Sequence, residues 1–492
     1  MSVNLGDRKE IQNWIREKMP DMIRDLKRIC RIRSVAETKG TSQPPYGQGC
    51  IDVLEEMLAI GKENGFETHN YDNYVGRISL CGKTDVTGAG ENKDGGTEDI
   101  GIWAHLDVVD EKPLEDWDYE PYQPVVRNGY FIARGCQDNK SSAVMGLYAL
   151  IYMKEHGIVP AHPMSLYLGT CEEQGMYELD YFLEHYQPPT LSLVPDSGFP
   201  VCLGERGSFN GELVSDFTCG SPLLEAESDC GQYTVPDRAS ITLSDEPGLW
   251  EKCANLKELF SAKREDGRII ITASGISTQA SMPEKGQCAM TALAGLIVDN
   301  NMLPEKESEA FRLICEINGD HRGTALDVSC EDEPSGPMNL VATQLRLEDG
   351  HLVIGFISKY PITKNDFPFE ERAGKAAEAR GFHLKVTRLG KANYFEPDRQ
   401  VVKRLTGVSN EVLNRQDGPF VMSGGTYARK LPNALAFGTG MPLPPAPEGM
   451  FRPGHGDYHQ PDESIALVRM EKALEVYICG LLEIDTLGSL LE

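Results

Sequence analysis

Apolar and polar positions along this chain follow two rhythms. Ile11, Trp14, Ile15, Met19, Met22, Ile23, Leu26 and Ile29 recur among charges at helical spacing, which predicts a helix over residues 8–33. A second amphipathic helix is predicted from Cys50 to Asn64, closed by Gly65. Short apolar runs predict strands at 77–80, 100–105, 165–168 and 191–194. Between them lie a uniformly apolar helix over 141–156, expected to be capped by a serine and stopped by Gly157, and a helix through 179–185. The stretch Cys81–Asp99 is rich in Gly, Thr, Asp and Glu and reads as a polar loop. Strands alternating with helices specify a mostly parallel sheet covered by helices.

Past Glu205 the rhythm changes. Strands are predicted at 207–217, 269–273 and 352–358, helices at 289–298 and 370–380, and a Gly/Pro-punctuated loop at 275–288. This texture reads as an inserted α+β domain over 206–391. From about Lys391 the α/β texture returns, with a helix at 401–414, a glycine-rich turn at Ser423–Thr426, and a strand at 434–438. A Pro/Gly-rich loop over 439–461 carries His455 and His459, and the last helix is expected from Asp462, as its N-cap, to Ile484. The first domain is therefore 1–205 plus 392–492.

Three apolar strands run into polar residues. His105 and Asp107 follow the first, Glu172 and Glu173 the second, and Asp196 the third; Asp138 precedes the buried helix. In open α/β sheets, ligands bind beyond the carboxyl ends of strands. Residues two apart in an extended chain face the same way, so His105 and Asp107 point into one site. Imidazoles and carboxylates without a thiolate pair suit zinc, manganese or cobalt. So many acids in one cleft repel each other unless cations neutralise them. Two metals sharing a carboxylate and a water meet that need, provided one neighbouring carboxylate stays unbound to accept a proton. Cys136 and Cys171, next to these residues, read as buried thiols.

The overall charge points the same way. The chain has 75 acidic against 48 basic residues, a net charge of −27, which disfavours nucleic acid and anionic lipid as partners. The first residues lack a basic and an apolar region, and no apolar run is long enough to span a membrane. Thirteen scattered cysteines, an odd count, read as reduced thiols. A cytoplasmic location is expected.

The matching motifs are His105–Val109, Arg134–Lys140, Gly169–Glu173, Val194–Asp196, Ser423–Arg429 and His459–Glu463, with the helix Cys50–Phe66. In this order they resemble the M20 metallopeptidase family, most closely its PepV-like dipeptidase branch. The resemblance implies a zinc-exopeptidase (phosphorylase/hydrolase-like) α/β catalytic domain and a lid domain that closes over a dipeptide. It implies two divalent ions, zinc with manganese or cobalt as alternatives. Asp138 would bridge them, His105 and Asp196 would complete one shell, and Glu173 and His459 the other. Asp107 would orient His105, and Glu172 would act as base on the metal-bridged water and then as acid toward the leaving amine. His455 competes with His459 but lies outside the His-Gln-Pro-Asp-Glu motif. Gln279, Lys359, Gly425 and Arg429 would bind substrate. Gln279 stands where the family carries a histidine, and Lys359 where it carries an arginine before Tyr-Pro. Asn139 and Cys171 replace residues that are usually acidic.

A dipeptidase, monomeric or weakly dimeric, is the expected activity. An amidohydrolase of N-acyl amino acids, and a metal-binding homologue whose hydrolysis is impaired at Gln279 and Lys359, are the alternatives.

Overall fold

The strand β3 (Ile100–His105) is buried at every position, as its unbroken apolar run requires of a strand covered on both faces. The computed structural model containing it describes residues 5–38, 45–80, 98–111, 113–229, 233–253, 256 and 258–492. The loop expected at Cys81–Asp99 lies outside the described residues over 81–97. The chain divides into two compact units, Met1–Glu205, Phe395–Val421 and Gly425–Glu492 against Arg206–Tyr394 and Met422–Gly424.

Six of the strands that share a sheet with β3 lie wholly within the first unit. They are β1 (Glu67–Tyr71), β2 (Val75–Leu80), β4 (Met164–Gly169), β5 (Leu191–Val194), β6 (Cys202–Glu205) and β7 (Ala434–Ala436). Their order is β1-β2-β4-β3-β5-β7-β6. The central strands β4, β3, β5 and β7 are parallel, and the pairs at either side are antiparallel. The helix Ser141–Glu155 is buried from Ser141 to Met153. Its Gly146 makes that approach possible, since a Cβ there would lie 2.8 Å from Leu166 Cδ1 and 3.3 Å from Ile102 Cγ2. One apolar core joins this helix to Leu5–Cys30, Gln48–Glu63, Gln400–Leu413 and Leu467–Ile484.

Two expected caps are corrected. The buried helix has no serine cap; the chain enters it through the turn Cys136–Lys140, where Asp138 keeps extended angles (φ −123°, ψ 94°). The last helix begins at Leu467, because Ser464–Ala466 pair as a strand with Tyr130–Ile132. Asp462 caps no helix; its Oδ1 accepts the amides of Asp118 (2.9 Å) and Tyr119 (3.0 Å), tying two loops together.

The second unit is an eight-stranded antiparallel sheet. Its strands run Phe260–Glu265, Arg268–Ser274, Arg238–Ser244, Leu223–Asp229, Asn339–Glu348, His351–Lys359, Ser208–Ser215 and Phe382–Gly390 across the sheet. Helices Ala289–Asp299 and Glu305–Asp320 pack on it. Each described cysteine in the two units is a free thiol. Among the described residues no helix is long and apolar enough to cross a membrane.

Candidate metal centre and active site

Sheet register builds the site. β3 pairs in parallel with β4 so that His105 stands beside Gly169, and the turn carrying Glu172 and Glu173 leaves the sheet next to the imidazole. Gly169 is required there, because a Cβ would fall 1.8 Å from the Tyr427 hydroxyl. Pro195 and Asp196 continue from β5, and the Cys136–Lys140 turn brings in Asp138. His459 arrives from the late loop with a left-handed backbone (φ 62°).

These side chains converge. His105 Nε2 lies 3.0 Å from Asp138 Oδ1 and 3.8 Å from Asp196 Oδ2. His459 Nε2 lies 3.1 Å from Asp138 Oδ2 and 3.1 Å from Glu173 Oε1. Asp138 thus stands between the two imidazoles, offering one oxygen to each. His105, Asp138 and Glu173 present ligand atoms within 4.8 Å of one another. Glu172 is buried, and its carboxylate has no hydrogen-bond partner among the described residues.

A second tier fixes this set. Asp107 is fully buried; its Oδ1 lies 3.5 Å from His105 Nδ1, which also meets the Asp107 carbonyl at 3.0 Å. The same carboxylate accepts the amides of Glu172 and Glu173. Sequence reasoning assigned no role to Glu463. Its Oε1 accepts the amides of Gln137 (2.9 Å) and Asp138 (3.0 Å), and its Oε2 takes Gly135 N (2.9 Å) and Arg134 Nη1 (2.7 Å). Only its place in the His-Gln-Pro-Asp-Glu run hinted at this. Glu178 was missed too; it accepts the Cys171 amide at 3.0 Å and the Tyr427 hydroxyl.

The electrostatics decide what the cluster wants. Among the described residues no lysine or arginine pairs with Asp138, Glu172, Glu173 or Asp196; the imidazoles are the cationic partners of Asp138, Glu173 and Asp196. Burial opposes charge on His105, but Asp107 and Asp138 outweigh it and raise its pKa well above the usual value. Burial likewise opposes charge on His459, which Asp138 and Glu173 lift to about 10. Burial, followed by the charge of Asp138, pushes Asp196 to about 8. Burial also raises Glu172 well above the carboxylate range, against the pull of His105 and with help from Asp196 and Glu173. Protons therefore sit where cations would, and the imidazole–carboxylate donor set fits zinc, manganese or cobalt. The neighbouring cysteines do not enter it: the Cys136 thiol donates to the carbonyls of Phe131 (3.5 Å) and Glu463 (3.4 Å).

His455 lies elsewhere. Its Nδ1 is 2.7 Å from Asp462 Oδ2, in a second group with Asp118. That group is already satisfied, by Arg452 on Asp118 (3.0 Å) and by two amides on Asp462.

The expected substrate residues spread over both units. Arg429 Nε lies 3.4 Å from the buried Glu205, and a Cβ on Gly425 would meet its guanidinium at 2.7 Å. Gly425 thus makes room for Arg429. Glu205 also accepts Thr426 N and Oγ1, which anchors this turn. In the second unit Gln279 is exposed and bridges Thr234, and Lys359 ends a strand opposite Asn339.

Residues 101–483 match the model of peptidase family M20/M25/M40. The chain belongs to this family. It is 28% identical to "Putative dipeptidase YtjP" of Bacillus subtilis (strain 168), over 96% of this chain and 99% of that one. It is 26% identical to a "Putative dipeptidase" of Staphylococcus epidermidis (strain ATCC 12228 / FDA PCI 1200), over 93% and 95%. The aminoacylhistidine dipeptidase structure from Vibrio alginolyticus covers 94% of this chain and 96% of its own, at 14% identity and a TM-score of 0.55. That likeness shows the shared α/β fold. The M20 resemblance and the peptidase class read from the motifs hold.

Proposed function

We propose that this M20 peptidase is a dipeptidase that works with two divalent ions. The observation that carries the proposal is the half-buried set Asp138, Glu173 and Asp196, whose cationic partners are two imidazoles, beside a buried Glu172 carboxylate left without a hydrogen-bond partner among the described residues. Relatives matching nearly the whole chain bear dipeptidase names. Asp138 would be shared by both ions, with His105 and Asp196 on one side and Glu173 and His459 on the other. Zinc fits these donors, as do manganese and cobalt. The bound ions would supply Lewis acidity, lowering the pKa of a water and polarising a carbonyl.

The chain's own groups do the rest. Glu172 accepts the proton of the attacking water and delivers it to the leaving amine. Its buried carboxylate beside the ligand residues, with no hydrogen-bond partner among the described residues, suits a group that carries a proton between those steps. Asp107 keeps His105 and the Glu172–Glu173 backbone in one frame. Gln279, a neutral amide donor, and Lys359, a single positive charge, are proposed substrate-binding residues together with Gly425 and Arg429. Metal content and hydrolysis of a panel of dipeptides and N-acyl amino acids test the proposal. Cleavage of dipeptides by the metal-loaded protein is expected; cleavage of N-acyl amino acids alone, or of nothing, overturns it.

A further inference from the structure

Asn139 follows Asp138 and is 1% exposed. Its amide meets three groups. Nδ2 donates to Pro195 O (2.8 Å) and to Asp196 Oδ1 (3.0 Å), and Oδ1 accepts the His105 N–H at 3.4 Å. These partners fix the amide's orientation, because two acceptors face the NH2 and one donor faces the carbonyl. An acid, the residue expected here from the M20 resemblance, could satisfy only the His105 amide in its ionised form. It would set an oxygen against two others.

The consequence falls on Asp196. With Oδ1 taken by the amide, the carboxylate turns Oδ2 toward His105 Nε2, at 3.8 Å. Pro195 follows β5 and His105 ends β3, so one side chain spans two strand ends and the residue between them and the metal centre. We propose that Asn139 is a positioning residue that holds Asp196 as a one-oxygen ligand and thereby sets the affinity of the ion shared with His105. The proposal rests on the metal-centre reading given above. Hydrogen bonds to ligating groups are commonly worth about 10- to 100-fold in metal affinity.

Asn139→Asp separates this role from mere packing. It keeps the shape and the acceptor for His105 N–H but removes both donations. The metal-free full chain is titrated with Zn2+ alone against a chelating dye, as wild type, N139D, D196N and the double variant. N139D should weaken one equivalent by about 10- to 100-fold, the same one that D196N weakens, and leave the other in place. The double variant should bind no more weakly than D196N, because the two residues act through one contact. The metal-free melting temperature of N139D should fall, because a buried carboxylate then faces Pro195 O and Asp196 Oδ1, so zinc affinity is compared at a temperature where every variant is folded. Additive losses on both equivalents, or unchanged zinc affinity in N139D, overturn the proposal. A wild type that takes up one equivalent defeats the two-metal reading, and the same double-variant comparison on that equivalent then decides for or against Asn139. No uptake overturns both. Should N139D not fold, Asn139→Ala removes donor and acceptor without adding charge and is judged in the same way.

Discussion

The Asp107 carboxylate accepts the Glu172 amide on Oδ1 and the Glu173 amide on Oδ2, each at 3.0 Å. It also lies 3.5 Å from His105 Nδ1, so one buried side chain fixes the backbone of the proposed base, of one ligand and of the turn that joins them. Asn at this position would keep one acceptor and turn an NH2 against the other amide. Asp107→Asn should therefore weaken metal binding by about 10- to 100-fold and lower activity with it. Equilibrium titration of the metal-free protein measures this, and an unchanged affinity would remove Asp107 from the positioning role.

Glu172 carries the opposite expectation. Its side chain pairs with nothing among the described residues, so Glu172→Gln should leave metal content intact. Losing general acid–base catalysis should cost about 100- to 10,000-fold in kcat. Elemental analysis and dipeptide turnover on one preparation separate the two readouts. A variant that loses metal along with activity would make Glu172 a ligand.

Much of this centre was legible in the chain because strand ends are a local signal. His105, Glu172–Glu173 and Asp196 each terminate an apolar run, and parallel pairing then makes those ends neighbours whatever the loops do. What was not legible depends on contacts between distant segments. Glu463 reaches back to the Gly135–Asp138 turn, and nothing near residue 463 announces that partner. The Asp462 N-cap failed for the same reason: two amides from 118–119 claim the carboxylate that a helix would have used. In the second unit the strands Arg238–Ser244 and Asn339–Glu348 were unread, since runs of consecutive buried positions that include the polar Thr242 and Thr343 break the period-two pattern.

The choice between the loop histidines is now a geometric one. His459 Nε2 touches Asp138 and Glu173, whereas His455 Nδ1 touches Asp462. His459→Ala should lower metal stoichiometry, and His455→Ala should leave it unchanged while loosening the loop. Metal analysis after gel filtration reads the first effect, and limited proteolysis of the 439–461 segment reads the second. Loss of metal from His455→Ala alone would mean that the wrong histidine has been placed in the centre.

The protonation of the metal-free cluster gives a stability test with a definite sign. His459 is raised from 6.5 to about 10, so its contribution is full below 6.5 and fades as pH rises through 10. Asp196 is raised from 3.8 to about 8; the folded state favours its protonated form, and that advantage is full below 3.8 and lost as pH rises through 8. Asp138 is held below its ordinary range by both imidazoles, although burial opposes it, so it contributes no change above neutrality. The metal-free protein should therefore lose stability between about pH 6 and about pH 9. Metal displaces those same protons, so its affinity and its stabilising effect should grow over the same interval. Melting curves with chelator and with added Zn2+ at both ends of the interval check this. The gain in melting temperature on adding metal should be larger at the alkaline end, and a gain that shrinks there would show that the ions do not replace protons on His459 and Asp196.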